Sequence, residues 1–205
     1  MIITEELIDK ETKSERVGEQ ISFTIEVNET PIEKEKKSKT KRAKTAKPKA
    51  DKIKILFVCT GNTCRSAMAQ AIFEHYIKSQ KLGARFSVHS SGLSAVEGDG
   101  MTPSAKAGLA YIDIPVPKHI AKRFNADECE KSTLTVCMTA RQKMAINSPK
   151  AYSIGEITRR GDVPDPFGYA IEEYVKVAKY LRQSIGEVLA FAENLAKANK
   201  PSKIS

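Results

Sequence analysis

Short apolar runs alternate with amphipathic stretches from about residue 52 onward. The run Ile53–Val58 is almost continuously apolar, which is typical of a strand buried in a parallel sheet. Two similar runs predict strands at Phe86–Ser90 and Leu134–Met138, and a shorter run predicts a fourth strand at Tyr152–Ile154. The apolar pattern therefore predicts four short strands.

Helical periodicity fills the intervals between these strands. Apolar residues recur at helical spacing over Ala67–Leu82, Pro103–Tyr111 and Ala140–Asn147, and over a long amphipathic stretch from Ile171 to about Lys197. Gly161–Gly168 is rich in proline and glycine and is predicted to be a loop. The alternation predicts the α/β class: an open four-stranded parallel sheet with helices on both faces, as in Rossmann-like folds.

Residues 1–51 differ in character from the rest of the chain. Met1–Glu33 holds three basic and nine acidic residues, whereas Lys34–Lys54 holds eleven basic residues and two acidic ones. Residues 34–51 contain no large apolar side chain to offset the entropy cost of ordering. We predict a largely disordered, lysine-rich extension at 1–51 and one folded domain at 52–200. The lysine run could dock on an acidic partner, but it lacks the interleaved aromatics of a nucleic-acid site.

Composition narrows the class of protein further. The chain has 205 residues and a formal net charge of +9, and a basic domain suits an anionic substrate. No stretch approaches the roughly 18 apolar residues of a membrane span, and Met1–Lys10 lacks the order of a signal peptide, so we expect a cytoplasmic protein. Four cysteines are too few for a secreted disulfide scaffold. The histidines show no metal-ligand spacing, and neither a metal nor a cofactor is expected.

A cysteine and an arginine separated by five residues stand at the first strand-to-helix junction. We expect Gly61 to supply unusual backbone angles, so that N–H groups curl inward as an anion nest beside a helix N-terminus. Arg65 can hold two phosphate oxygens, and the same positive field favours the thiolate form of Cys59. A thiolate below a phosphate cradle is a site for covalent phosphoryl transfer. The candidate phosphate-binding residues between and after this pair are Thr60, Gly61, Asn62, Thr63, Cys64 and Ser66.

The segment VCTGNTCRSAMAQ, which contains this loop, resembles the active-site loop of the low-molecular-weight protein tyrosine phosphatase family. Ser90–Ala95, Met138–Ala140 and Asp165–Gly168 continue the resemblance in the same order and spacing, over roughly residues 53 to 196. The resemblance implies a protein phosphatase that acts on phosphorylated side chains through a cysteinyl-phosphate.

The resemblance also implies roles for the matching positions. Cys59 would attack phosphorus, and Arg65 would bind the phosphoryl oxygens. Asp165 would protonate the leaving group and then activate water. Asn62 would brace the loop, and the hydroxyl of Ser66 would hydrogen-bond the Cys59 thiolate.

A second aspartate, Asp162, is a rival for the acid role. Pro164 and Pro166 restrict the backbone on either side of Asp165, so that its carboxylate can be held over the site. This rigidity fits preorganised acid catalysis and favours Asp165.

Thr63 is the position on which substrate specificity is predicted to depend. Tyrosine-directed members of the family usually carry an aliphatic residue there, and CTGNTCRS is similar to the bacterial protein arginine phosphatases. A hydroxyl at Thr63 can hydrogen-bond near the Asp165 carboxylate, whereas an aliphatic side chain would crowd a charged guanidinium. Phe167 is the second candidate specificity residue. The first hypothesis is therefore a protein-arginine phosphatase, and the alternative is a tyrosine phosphatase.

The three cysteines beyond Cys59 bear on redox chemistry. Cys64 lies close enough to Cys59 in a curled loop to form a reversible disulfide after oxidation, as in related phosphatases, or it only fills space. Cys129 and Cys137 are expected in the core. Arsenate reductases of this fold relay oxidation through a further cysteine pair, and no cysteine follows Cys137, so this activity is not expected. A non-catalytic binding module is the hypothesis from another class of protein.

Three positions depart from the pattern of the family. Ala67 stands where a proline is usual, which leaves the first helical turn less rigid. Gln70 stands where an acidic residue is usual, and its neutral amide is expected to alter the support of the loop. Tyr169 follows Gly168 where a second glycine is common, which changes the rim of the site.

Overall fold

The computed structural model describes residues 51–199, which form a four-stranded parallel sheet. The strands are β1 Ile53–Cys59, β2 Phe86–Gly92, β3 Leu134–Cys137 and β4 Ala151–Ser153. Their order across the sheet is β2, β1, β3, β4, so β1 pairs on both sides, with Cys59 opposite Gly92 and Val58 opposite Cys137. Because all strands run the same way, their carboxyl ends meet at one edge of the sheet, where ligands of such folds bind.

Helices lie between and after the strands. Their bounds are α1 Arg65–Ser79, α2 Pro103–Tyr111, α3 Ala126–Lys131, α4 Ala140–Ile146, α5 Ile154–Thr158, α6 Ile171–Gln183 and α7 Ile185–Ala198. A short 3₁₀ turn, Leu82–Ala84, precedes β2. The predicted loop at Gly161–Gly168 contains no helix or strand, as expected.

Both faces of the sheet are covered. Alternate side chains of a strand point to opposite faces. Ile55 and Phe57 are fully buried in the main apolar core, where the rings of Phe57 and Phe73 of α1 lie 4.6 Å apart. On the other face, the hydroxyl of Thr135 donates to Sγ of Cys129 in α3 at 3.3 Å. The predicted α/β class, with helices on both faces of a four-stranded parallel sheet, is confirmed.

The single long helix predicted from Ile171 to about Lys197 is two helices, α6 and α7, which meet at Ser184. Ser184 is fully buried, and its hydroxyl donates to the carbonyl oxygen of Tyr180 at 2.8 Å and accepts from Nη2 of Arg160 at 3.1 Å. A serine hydroxyl that bonds back into the preceding turn is a cause of helix bending. The prediction of one continuous helix is wrong because hydrophobic periodicity does not register this contact.

The hydrophobic pattern does not predict the short helices α3 and α5. A capping box starts α5, in which Ser153 Oγ accepts from the N–H of Glu156 at 3.2 Å and Glu156 Oε2 accepts from the N–H of Ser153 at 2.8 Å. Asn125 caps α3 through its Oδ1, which accepts from the N–H of Asp127 at 2.8 Å. Ile154, predicted as the end of a strand, instead begins α5. Helices of five and six residues are too short to show periodicity, so only the capping residues signal them.

Cys129 and Cys137 are buried in the core, as predicted. Burial raises the pKa of the Cys137 thiol to about 12, with a smaller contribution from Cys129. The extension predicted at 1–51 lies outside the described residues except for Asp51, and so does most of the lysine run. Within residues 51–199, no helix is both long and apolar enough to cross a membrane.

Candidate active site

Cys59 is the last residue of β1, and the loop Thr60–Cys64 carries the chain from there to the first residue of α1. The backbone extending from β2 supports this loop: the N–H of Leu93 donates to the carbonyl of Cys59 at 3.0 Å, and that of Ser94 to the carbonyl of Thr60 at 2.9 Å. On the other side, Nε2 of Gln142 donates to Thr60 Oγ1 at 3.2 Å. The loop is thus held at the carboxyl edge of the sheet by two neighbouring segments.

The sulfur of Cys59 is enclosed by donors. Sγ lies 2.9 Å from the hydroxyl oxygen of Ser66 and accepts from the N–H of Asn62 at 3.2 Å. Only 2% of the residue is exposed. A sulfur held between a hydroxyl and an N–H is in an environment that stabilises negative charge. The contact expected between Ser66 and Cys59 is present.

Asn62 connects the loop to the rest of the domain. Its Nδ2 donates to the hydroxyls of Ser66 and Ser90, each at 2.9 Å, and its Oδ1 accepts from the N–H of Lys122 at 2.9 Å. Its carbonyl oxygen lies 2.7 Å from Nε2 of His119. With every polar atom of the side chain bonded and no exposed surface, Asn62 is placed to brace the loop.

The expectation that Gly61 supplies the unusual backbone angles is wrong. The left-handed residue of the loop is Asn62, with φ of 55°, whereas Gly61 is not among the residues with positive φ. Asparagine tolerates this conformation better than most residues, and its side-chain and backbone contacts hold it there. The glycine that the loop does require is Gly92 of β2, where an added Cβ would lie 2.6 Å from the carbonyl oxygen of Thr60.

Gln70 supports the loop although it is not acidic. Its Oε1 accepts from the hydroxyl of Ser90 at 2.6 Å, and Ser90 in turn accepts from Asn62. Its Nε2 donates to Glu74, one turn further along α1, at 2.8 Å. The amide oxygen therefore serves as an acceptor for Ser90, so a neutral side chain at this position still supports the loop.

Arg65 begins α1 and points its guanidinium into the protein. Nη1 donates to the carbonyl of Val163 at 3.4 Å, and Nη2 forms an ion pair with Oδ2 of Asp165, a residue 100 positions later. Its side chain is 6% exposed. Among the described residues, Cys64 makes no side-chain cap bond to α1, and no acidic residue lies in its first turn. The N-terminus of α1 and the Arg65 guanidinium therefore both bring positive charge to the end of the loop that begins at Cys59.

The two candidate aspartates are used differently. Both carboxylate oxygens of Asp162 accept from the N–H of Ala140, the first residue of α4, at 3.0 Å. Asp165 lies at Arg65, with its side chain 52% exposed, and its Oδ1 accepts from the N–H of Phe167 at 3.2 Å. The loop Gly161–Gly168, which carries both aspartates, is anchored between them, because the N–H of Val163 donates to the carbonyl of Met138 at 2.9 Å.

Thr63 is half-buried on the loop and does not bond to Asp165. Within the described residues, the nearest polar partner of its Oγ1 is Sγ of Cys64, at 3.8 Å, and its carbonyl accepts from the N–H of Thr102. Cys64 Sγ lies 3.2 Å from Oγ1 of Thr102. Cys59 and Cys64 are both free thiols, so the redox role of Cys64 stays a prediction. Burial raises the pKa of the nearby Tyr174, and Cys64 adds to this shift.

Two exposed aromatic side chains follow Asp165 in the same loop. Phe167 is 71% exposed and Tyr169 68% exposed. A groove of about 540 Å³ runs past Pro164 and Tyr169 to Tyr180 of α6. Across residues 51–199, no three His, Cys, Asp or Glu side chains are grouped so that they could hold a metal ion.

Sequence reasoning missed three supports of the loop. His119 and Lys122 bond to Asn62 from a segment without regular structure, and no pattern in the sequence marks them. Gly92 lies within the SSGLSA motif, so its position is signalled, but its packing reason is not.

The chain matches known proteins over the same region. Residues 54–200 match the family model described as low molecular weight phosphotyrosine protein phosphatase. The chain is 33% identical to the protein-arginine-phosphatase of Bacillus subtilis (strain 168), over 73% of this chain and 98% of that protein. It is 30% identical to the low molecular weight protein-tyrosine-phosphatase PtpB of Staphylococcus haemolyticus, over 66% of this chain and 97% of that protein. A solved YwlE arginine phosphatase, a cysteine-to-serine mutant with a phosphorylated active-site serine, is 31% identical with a TM-score of 0.62, covering 71% of this chain and 97% of that one.

Proposed function

The chain belongs to the low molecular weight phosphotyrosine protein phosphatase family, a family of cysteine-dependent enzymes, and we propose that it removes phosphate from phosphoarginine in proteins. The observation that carries the chemical part is the sulfur of Cys59, held by the N–H of Asn62 and the hydroxyl of Ser66 in a loop that leads directly into Arg65 and α1. The arginine part is supported by Thr63 on the loop and by the similarity to a protein-arginine-phosphatase.

The reaction proceeds in two displacements. The Cys59 thiolate attacks phosphorus, a sulfur–phosphorus bond forms, and the phosphorus–nitrogen bond to the substrate guanidinium breaks. Asp165 gives its proton to the leaving nitrogen, then takes a proton from the water that attacks the cysteinyl-phosphate, which releases inorganic phosphate and the thiolate. Arg65 holds two phosphoryl oxygens through both steps, and the Ser66 hydroxyl stabilises the thiolate as it leaves.

Asp165 is better placed than Asp162 for this role. Its carboxylate is half-exposed and reaches Arg65, so it can face a leaving group above the phosphate. The carboxylate of Asp162 is bonded through both oxygens to the start of α4. Proton transfer needs a carboxyl group within hydrogen-bond reach of the leaving atom, which favours Asp165.

Thr63 supports phosphoarginine over phosphotyrosine. Its hydroxyl is half-buried on the cradle loop and makes only the weak contact with Cys64 among the described residues. A hydroxyl without a strong partner can bond to a guanidinium or to the attacking water, which an aliphatic side chain at this position cannot. Thr63 makes no hydrogen bond to Asp165 in the described part of the chain. Its effect on substrate specificity is therefore expected to come from direct contact with the substrate.

Phosphotyrosine is the second candidate, and one observation favours it. Phe167 and Tyr169 present exposed aromatic rings beside Asp165, and such rings suit contact with the phenyl group of a tyrosine. The similarity to the tyrosine phosphatase PtpB is nearly as high as that to the arginine phosphatase.

A comparison of two peptides that differ only in the phosphorylated residue tests the assignment. We expect a higher kcat/KM of the purified full-length protein for the phosphoarginine peptide. Thr63→Ile should shift the ratio of the two kcat/KM values towards phosphotyrosine by about tenfold or more, whereas the control Thr63→Ser should keep it. Equal discrimination by the wild type and Thr63→Ile would remove the argument from Thr63.

A second set of variants tests the catalytic roles. Cys59→Ser should abolish turnover, and Asp165→Asn should lower kcat by about 10²–10⁴-fold because no proton donor remains. The matched control is Asp162→Asn, whose amide oxygen can still accept from the N–H of Ala140, and its kcat should stay near that of the wild type. A large loss in Asp162→Asn with little loss in Asp165→Asn would exchange the two assignments.

A further inference from the structure

A second groove, of about 700 Å³, lies beside the phosphate loop and is separate from the candidate catalytic residues. Leu56 of β1 and His89 of β2, which are register partners, form part of its lining. α3 and the segment Lys118–Lys122 form other parts. Cys59, Arg65 and Asp165 are absent from this lining, so the groove is not the phosphate cradle.

The groove is strongly basic. Four lysines line it, and Glu128 is the one carboxylate among the lining residues. None of these lysines forms an ion pair with a carboxylate of residues 51–199. Like charges gathered around a concave, low-dielectric surface attract a multivalent anion. The four are Lys54, Lys118, Lys122 and Lys131.

The lining also offers flat and apolar surface. Ile120 is 53% exposed, and His89 and His119 contribute two imidazole rings. Imidazole rings and aliphatic side chains stack on and contact the faces of nucleobases. The volume lies within the range of about 300–1,000 Å³ that is usual for small-molecule sites.

We propose that this groove binds an organic anion of nucleotide size that carries at least two phosphate groups. The lysines pair with the phosphates, and the base contacts Ile120 and the imidazoles. The site is tied to the phosphate loop, because His119 Nε2 lies 2.7 Å from the carbonyl of Asn62 and the N–H of Lys122 donates to Asn62 Oδ1. It goes beyond the phosphatase reaction, which needs no such ligand.

Titration calorimetry of the full-length protein with ADP tests the proposal. The titration is carried out with saturating orthovanadate, a phosphate analogue that occupies the phosphate loop. Heat still released on adding ADP then measures binding at the groove. We expect saturable 1:1 binding with a Kd on the order of 10–500 µM, and weaker binding of inorganic pyrophosphate, which has no base.

Charge reversal locates the binding. Lys118→Glu combined with Lys131→Glu should weaken ADP binding by about tenfold or more. The control combines Lys106→Glu with Lys197→Glu, two exposed lysines outside the groove, and changes the net charge equally. It should shift the Kd by no more than about twofold if attraction is local. Lys118→Gln repeats the test with a milder change if circular dichroism shows that the double reversal does not fold.

Several results would overturn the proposal. These are the absence of saturable ADP binding at millimolar concentration, equal weakening in both double variants, and binding that vanishes with vanadate. Pyrophosphate binding as tight as ADP binding would equally overturn it, because the base would then contribute nothing. None of these results depends on whether phosphoarginine or phosphotyrosine is the substrate.

Discussion

Ser66 has one hydroxyl proton and two acceptors within reach. Its Oγ lies 2.9 Å from Cys59 Sγ and 3.2 Å from the carbonyl oxygen of Ser91. Asn62 Nδ2 donates to the same oxygen at 2.9 Å, so the hydroxyl proton is free to point to one of those acceptors. A charged sulfur is the stronger acceptor, which means that ionisation of Cys59 directs the proton towards it.

Removing this hydroxyl should slow the reaction with little effect on substrate binding. We expect Ser66→Ala to lower kcat by about 10–100-fold, the cost of one hydrogen bond to a charged group, with a small change in KM. Steady-state hydrolysis of p-nitrophenyl phosphate measures both constants. Ser94→Ala is the control, since Ser94 contacts the loop through its backbone N–H and its side chain is exposed. A kcat unchanged in Ser66→Ala would show that the hydroxyl does not stabilise the thiolate.

At the scale of elements, the backbone of β2 at Gly92 packs directly against the backbone of the phosphate loop and restricts its shape. An added Cβ at Gly92 would lie 2.6 Å from the carbonyl oxygen of Thr60 and 2.7 Å from the nitrogen of Asn62. Both atoms belong to the backbone, so neither can move aside as a flexible side chain would. The strand that pairs with β1 thus determines how tightly the loop folds.

Gly92→Ala should therefore disturb stability and catalysis together. We expect the free energy of unfolding to fall by about 1–3 kcal/mol, as is usual for overpacking, and kcat/KM to fall as the loop shifts. Urea unfolding and steady-state kinetics measure the two effects. Gly100→Ala, where nothing lies within 4 Å of an added Cβ, should change neither by much. Equal behaviour of the two variants would argue against close packing at Gly92.

At the scale of the whole molecule, the C-terminal helices position the loop that carries Asp165. The hydroxyl of Tyr180 in α6 donates to the carbonyl of Gly161 at 2.6 Å. Arg160 donates through both Nη atoms to the carboxylate of Glu187 in α7, at 2.6 and 2.8 Å. The meeting of Asp165 with Arg65, 100 residues apart in sequence, therefore depends on helices that contribute no residue to the reaction.

The Arg160–Glu187 pair gives a pH-dependent prediction. The hydrogen bond from Arg160 lowers the pKa of Glu187. The pair therefore stabilises the fold above the ordinary glutamate pKa of about 4.3, and this contribution is lost as the pH falls through the lowered value. Because both side chains are partly exposed, Glu187→Gln should cost only about 0.2–1 kcal/mol of unfolding free energy at pH 7.

Urea unfolding of wild type and Glu187→Gln at several pH values measures this difference. It should shrink as the pH falls through the lowered pKa of Glu187, below which both forms carry a neutral side chain. The control is Glu173→Gln, whose partner Lys176 lies one turn away in the same helix and joins no other element. If the difference in unfolding free energy between wild type and Glu187→Gln instead grows as the pH falls, the Arg160–Glu187 ion pair is not its source.

The sequence by itself determined the four strands and most of the helical segments, and it predicted the cysteine, arginine and aspartate of the candidate site. Each of these depends on a pattern within a short stretch: a run of apolar residues, a helical period, a cysteine and an arginine with five residues between them, or an aspartate between two prolines. Such patterns lie within short stretches of sequence, so they can be recognised without knowledge of the tertiary structure.

Only the tertiary structure decided how the phosphate loop is held. It placed the left-handed angle at Asn62 rather than Gly61, brought His119 and Lys122 to that residue, and separated α6 from α7 at Ser184. The contacts of Asn62 join segments that are distant along the chain, and the break at Ser184 combines a bond within α6 with one from Arg160, which lies outside both helices. No local pattern records such contacts, because their geometry exists only once the sheet and its helices have packed together.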